Sequence, residues 1–204
     1  MSLVVENTEA DTRARILKTA ERLFREIGYQ KTTVADIAKI LRMSPANVYR
    51  FFDSKKSIHE GVARLLMGEV EAAVHAIAAG PASPPDKLYM LLATIHRMNA
   101  ERYVGDEKLH EMVRIAMDED WAVCNTHIEH LTVVVAGVIA EGMERGDFKR
   151  GDVETVALCV CSGMTRFFHP QMIAECADKP GPTLEQMIDF LITAISVDKG
   201  AARS

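Results

Sequence analysis

Residues 32–56 read TTVADIAKILRMSPANVYRFFDSKK, and this stretch decides the fold. It spells two short helices joined by a tight turn, with a third starting at once. Thr33 is a helix N-cap whose hydroxyl accepts from first-turn amides, and Asp36 stands at the acidic position of a capping box. Val34, Ile37, Ala38 and Leu41 share one face. Arg42 and Met43 form the turn. Ser44 is the next N-cap, and Pro45 takes the first helical position, where its missing N–H costs nothing. Val48 and Phe52 then face inward, while Ala46, Asn47, Tyr49, Arg50 and Phe51 face out. This is a helix-turn-helix, and its second helix is the element that enters a DNA major groove.

The outward residues have the chemistry for that task. Asn47 can pair with adenine, and Pro45 and Ala46 can meet a thymine methyl. Tyr49 and Lys55 suit phosphate oxygens, which set register rather than sequence. The candidate DNA contacts are therefore Thr33, Ser44, Pro45, Ala46, Asn47, Tyr49, Arg50, Phe51 and Lys55. The lysines at the start of the next helix oppose its dipole, and a nearby phosphate would account for them.

From Ile16 to Val62 the chain reads ILKTAERLFREIGYQKTTVADIAKILRMSPANVYRFFDSKKSIHEGV. This segment resembles the N-terminal domain of the tetracycline-repressor (TetR) family. The Gly28-Tyr29 stop, the Thr-Thr start, Ala-Asp-Ile-Ala, and Tyr49 with Phe51-Phe52 carry the resemblance together. Arg42 stands where the family often has glycine; if that position requires positive φ, the side chain costs roughly 1 kcal/mol. The resemblance implies a homodimeric DNA-binding regulator, most often a repressor, with a C-terminal ligand-binding and dimerisation domain.

The charge distribution agrees with a DNA-facing end. Net charge is −5, but residues 1–56 carry 11 Lys and Arg against 7 Asp and Glu, while the remainder carries 13 against 22. A basic head on an acidic body would approach DNA head first. No signal peptide and no apolar run of the roughly 20 residues that a membrane helix needs are read, so the expected location is cytoplasmic, with no membrane partner. The longest apolar run, 131–140, reads as a buried helix. The 4 cysteines read as thiols.

The remaining pattern is helical throughout. A helix over about 11–27 carries the stripe Ile16, Ala20, Leu23, Phe24 and Ile27 and ends at Gly28. Its arginines, Arg13 among them, read as a solvated face with an occasional reach to phosphate. A long helix over about 54–79, striped by Ile58, Val62, Leu65, Leu66 and Val70, breaks at Gly80 to Pro85. The next helices are expected at about 86–103, 106–117 and 118–145. A broad stripe from Val153 to Phe168 precedes Pro170, and another helix begins after Pro182-Thr183. The last two could finish one subunit's core or form a two-fold four-helix interface through about 153–168 and 183–197, which the resemblance favours. The expected architecture is all-α: a three-helix helix-turn-helix domain at 1–56, then a helical bundle for ligand binding and dimerisation at 57–204.

The resemblance places an effector pocket in the body, with Met90, Ile95, Met98, Met112, Ile115, Trp121 and Phe167 as candidate lining, and Met117 beside them. These suit a small, largely apolar molecule, though the same residue types pack ordinary cores. A second reading is metal or thiol sensing by Cys124, His127 and His130, which share one helical face. Enzyme motifs are absent: there is no phosphate-cradling glycine loop, nucleophile elbow or HExxH pair. Glu141, Glu144 and Asp147 read as solvated, and no catalytic residue or cofactor is expected. The partners expected are a palindromic DNA duplex, a second copy of the chain and a small-molecule effector.

Overall fold

The computed structural model describes residues 2–103, 107–118 and 122–198. These residues are helical apart from turns and one isolated antiparallel bridge between Phe148 and Ser196. α1 (Ser2–Ile27) begins earlier than expected and stops at Gly28, whose φ of 92° turns the chain out of the helix. α2 (Val34–Ile40) and α3 (Pro45–Tyr49) follow where their caps foretell. α4 (Lys55–Ala78) ends just ahead of the Gly80-Pro81 break. Then come α5 (Pro84–Tyr103), α6 (Glu107–Asp118) and α7 (Ala122–Arg145).

The stretch expected as one helix from Val153 to Phe168 is broken. α8 (Val153–Gly163) ends at Met164, α9 (Thr165–Phe168) makes barely one turn, and α10 (Pro170–Glu175) starts at the proline expected to terminate the run. Two features account for the breaks. The Thr165 hydroxyl donates to Ser162 O at 2.8 Å, competing for a carbonyl of the last turn of α8. His169, preceding Pro170, is extended at φ −75° and ψ 119°, as the ring of a following proline demands. α11 (Leu184–Ile195) opens on a Thr183–Gln186 capping box.

Two compact units result, one of residues 1–67 with 106–124, the other of residues 68–105 with 125–204. The first therefore takes in α6, which the linear pattern assigns to the body. α6 packs on α1: Lys108 donates to Glu26 O at the C-terminal end of α1, and Met112 and Ala116 are buried. In the same unit Ile16, Phe24, Ile37, Val48, Ile58 and Val62 are all fully buried. Gly61 lets α4 approach α1 closely, since a Cβ there would lie 2.6 Å from Leu17 Cδ2. Leu65, expected inward, is 44% exposed; the buried stripe of large apolar residues on α4 runs through Ile58, Val62, Leu66, Val70 and Val74, and Leu65 sits about 100° around the helix from Leu66.

The second unit is built on Leu88, Leu91, Leu92 and Ile95 of α5 against Val135 and Ile139 of α7, with Met164 and Ile188 closing the core. Phe148 fills the turn after α7 at 1% exposure and lies so near Gly142 that any Cβ there would fall 2.1 Å from its ring. α7 is, by length and composition alone, long and apolar enough to cross a membrane, which corrects the sequence expectation. A core helix passes the same test, and Leu131, Val134, Val135, Val138 and Ile139 of α7 are buried in this unit's core.

Candidate nucleic-acid interface

The frame of the interface is made by backbone capping. Thr33 Oγ1 accepts from the Asp36 amide at 3.2 Å, and Asp36 Oδ2 accepts from the Thr33 amide at 2.9 Å and the Thr33 hydroxyl at 2.6 Å. These bonds from the Thr33 hydroxyl and amide hold the Asp36 carboxyl below the ordinary aspartate range. At the other end of α2, Arg42 takes the left-handed conformation at φ 56°. Met43 N–H then bonds Ala38 O at 3.0 Å and Arg42 N–H bonds Lys39 O at 3.2 Å, the pattern of a Schellman cap. The turn does require positive φ, and an arginine carries it.

Ser44 caps α3, its hydroxyl accepting from the Asn47 amide at 3.2 Å, with Pro45 in the first turn. Val48 and Phe52 are buried as expected. Ser44, Pro45, Ala46, Tyr49 and Arg50 are exposed and Asn47 half-exposed, so the outward set reaches solvent together. Its chemistry is that of a groove reader: one amide side chain, a small apolar step, a phenol and a guanidinium.

Three candidates are placed otherwise. The Thr33 hydroxyl is engaged in its own capping box. Phe51 is half-buried, and its carbonyl accepts from Arg13 Nη1 at 2.6 Å. Lys55 turns back onto the protein: Nζ donates to Gln30 O at 3.1 Å and lies 4.3 Å from the centroid of the Tyr29 ring. Burial pulls its pKa down, and Glu111 of α6 pushes it back up. A phosphate is not needed to explain the start of α4 either, because Ser54 and Ser57 cap each other there, each amide bonding the other's hydroxyl at 3.0 Å. Arg13, read as part of a solvated face, also sets its guanidinium 4.5 Å over the Phe52 ring. Its place on the outer face of α1 gives no hint of a partner 38 residues away.

The candidate effector lining is shared out between the two units. Met90 is exposed at 46%, because it sits one step off the buried Leu88, Leu91, Leu92 and Ile95 stripe. Ile95 and Phe167 are packed into the second unit's core, with Met98 half-buried against it. Met112 and Ile115 belong to the first unit. Trp121 lies outside the described residues, as does the side chain of Met117. Two polar groups of α5 sit beside Phe167: His96 Nδ1–H donates to Phe167 O at 2.9 Å, and Asn99 Nδ2, which the sequence reading passes over, donates to Phe168 O at 2.8 Å.

The sensor triad is also taken apart. Cys124 is buried against Ala116, Ile115, Val123 and Met67 in the first unit. His127 and His130 both turn to Glu71 of α4, with Nδ1 at 2.6 and 3.0 Å from its two carboxylate oxygens. Among the described residues no group of three His, Cys, Asp or Glu is arranged to hold a metal ion. Burial drives the His127 pKa down despite Glu71, so the ring is neutral near pH 7 and donates from Nδ1. Burial pushes Glu71 up, but the His127 and His130 hydrogen bonds outweigh it and leave the carboxyl below its ordinary range. Glu141, read as solvated, bonds the buried Lys87 at 2.8 Å.

A capped helix-turn-helix ahead of a second helical unit is the architecture of a DNA-binding regulator. The chain matches the model of bacterial regulatory proteins of the tetR family over residues 16–62, and the tetracyclin repressor-like C-terminal domain over residues 84–186. It belongs to the TetR family. Among relatives, it is 50% identical over 46 residues to the biofilm operon icaADBC negative transcriptional regulator IcaR of Staphylococcus aureus; that match spans 22% of this chain and only a quarter (25%) of IcaR. It is 27% identical over 150 residues to the transcriptional repressor KstR2 of Rhodococcus jostii, 70% of each chain. A TetR/AcrR-family regulator from Thermobifida fusca shares the fold at a TM-score of 0.64 and 24% identity, over 89% of this chain and 97% of that one.

Proposed function

We propose that this protein is a cytoplasmic transcriptional repressor that binds a palindromic operator as a homodimer and leaves it when a small, largely apolar effector binds the body. The observation that carries the reading is the exposed set Pro45, Ala46, Asn47, Tyr49 and Arg50 on a helix held by caps at its start and by buried Val48 beneath. Repressor relatives support the sense of the response, and the family supports dimers with small-molecule effectors. The domains in this reading stay those of the sequence: a DNA-binding head at 1–56 and a body at 57–204.

Exposed apolar side chains support self-association through the second unit. Phe190 of α11 is 68% exposed and Leu158 of α8 is 57% exposed, on helices whose other faces carry the buried Ile188 and Val160. α11 thus serves its own core and still presents an apolar side chain outward. Pairing two copies there would give the reader two half-sites. The effector acts only through its differential affinity for the released state, which bounds how far it can shift the equilibrium.

Selection from a random duplex pool tests this. An enriched palindrome bound with a steep salt dependence is the expected result. A protein that enriches no sequence over repeated rounds would not be a sequence-specific regulator. Leu158→Glu with Phe190→Glu should yield monomers in sedimentation; a surviving dimer would move the interface elsewhere.

A further inference from the structure

We propose that Arg42 is a DNA contact: from the turn between α2 and α3 its guanidinium binds a phosphate at the edge of the major groove that α3 enters. The inference rests on the DNA-binding reading above and adds to it a residue outside the reading helix.

Among the described residues, Arg42 is the one non-glycine residue with positive φ, at 56°. In the left-handed region its Cβ crowds the following carbonyl oxygen, a penalty that glycine does not meet. The turn gains nothing from the side chain in return. The bonds that close it, Arg42 N–H to Lys39 O and Met43 N–H to Ala38 O, involve backbone atoms alone and would form equally with glycine. Leu41 and Met43 are half-buried, yet Arg42 between them is exposed. Among the described residues its guanidinium has no hydrogen bond, ion pair or ring contact. The carboxylate nearest in sequence, that of Asp36, is taken by the Thr33 amide and hydroxyl. The head therefore carries a strained arginine whose charged end serves no contact within the fold. Strain of this kind gathers at binding sites.

The position selects the ligand. Arg42 stands two residues before the Ser44 cap, at the end of α3 that presents Pro45, Ala46 and Asn47. The major groove is about 12 Å wide, and a helix with its side chains fills it. A side chain rooted in the turn ahead of that helix meets the groove's edge, where the phosphates lie, and not the base edges at its floor. A guanidinium matches a phosphate through paired, parallel N–H···O bonds. Lys39, whose carbonyl bonds the Arg42 amide, is exposed as well and adds to the positive field there.

The test takes Arg42→Gly and Arg42→Asn, which remove the charge but tolerate the left-handed backbone. Their denaturant midpoints should equal or exceed that of the wild type, so weaker binding does not come from a damaged fold. Binding is measured between about 50 and 200 mM salt on two duplexes: the one that the wild type selects from a random pool, and a scrambled duplex of equal length. A phosphate contact predicts about tenfold weaker binding to both, with a salt slope shallower by about 0.9 for each half-site occupied. Arg42→Lys should restore the slope, because a point charge still neutralises the phosphate, without the full affinity of the fork. Wild-type affinity and slope in Arg42→Gly would overturn the proposal. So would a loss confined to the selected duplex at unchanged slope, which would make Arg42 a reader of bases. If the wild type enriches no sequence but the slope on any duplex still falls in Arg42→Gly, sequence-specific regulation is lost and the contact stands. A wild type that binds no duplex overturns both.

Discussion

Two places in this chain stop a helix by different means. α2 ends at Leu41 because Arg42 goes left-handed and two backbone bonds close the turn, all within six residues. α8 ends at Gly163 inside an apolar stripe, and the side chain of its C-cap Met164 disappears into a core built by α5, α7 and α11. The first stop is local chemistry. The second joins a local hydroxyl bond, from Thr165 to Ser162 O, to the burial of Met164 against helices distant in sequence. The contrast extends to the units that hold them: the head is organised by caps around helices of five and seven residues, the body by apolar burial along long helices.

If that division holds, the largest stability loss belongs to the body's packing. Phe148→Ala should cost about 3–5 kcal/mol in denaturant unfolding, since the ring is buried against Gly142 and nothing can collapse into its space. A loss under about 1 kcal/mol would show that the turn after α7 is not part of the core. Asn47→Ala should leave unfolding unchanged yet weaken binding to the selected duplex by about 1–3 kcal/mol and relax the preference at one base position. Uniform weakening on all sequences would make Asn47 a backbone contact.

Capping tests the comparison symmetrically, because head and body each start one helix with a capping box. Thr33→Ala and Thr183→Ala should each cost about 1 kcal/mol. A large inequality would mean that the surroundings set the worth of a cap. Arg42→Gly should stabilise the head by about 0.5–1 kcal/mol, because glycine meets no steric penalty at φ 56° although it loosens the unfolded chain. The smallest effect expected is on pH dependence. The His127 pKa is depressed in the folded state, so the stability tied to its neutral form is complete above the unfolded value near 6.5 and is lost as pH falls through the lower folded value. His127→Gln should flatten unfolding free energy between about pH 7 and 5; an unchanged slope would assign the acid sensitivity to other groups.

What is legible in the sequence follows the same line. Thr33, Asp36, Ser44 and Pro45 announce their helices because a cap is a contact between residues three apart. Period alone turns Val48 and Phe52 inward, where the structure has them. It leaves Arg13 exposed, as the structure has it, but says nothing of its partner, a carbonyl 38 residues on, because no local rule reports that distance. Met90 and Leu65 are misplaced because a helix stripe has edges, and only the packed neighbour decides which edge is covered. Cys124, His127 and His130 share a face in projection, yet Glu71, 56 residues earlier than His127, takes the two imidazoles.

By itself the sequence determined the helices of the head, the turn that joins them and the residues they present outward, since each follows from hydrogen bonds and periodicity across three or four positions. Tertiary structure alone decided that α6 packs with the head, that Arg13 reaches the Phe51 carbonyl and that Lys55 folds back onto Gln30. Those outcomes depend on which distant carbonyl, ring or apolar face lies within reach, and a linear pattern carries no record of that.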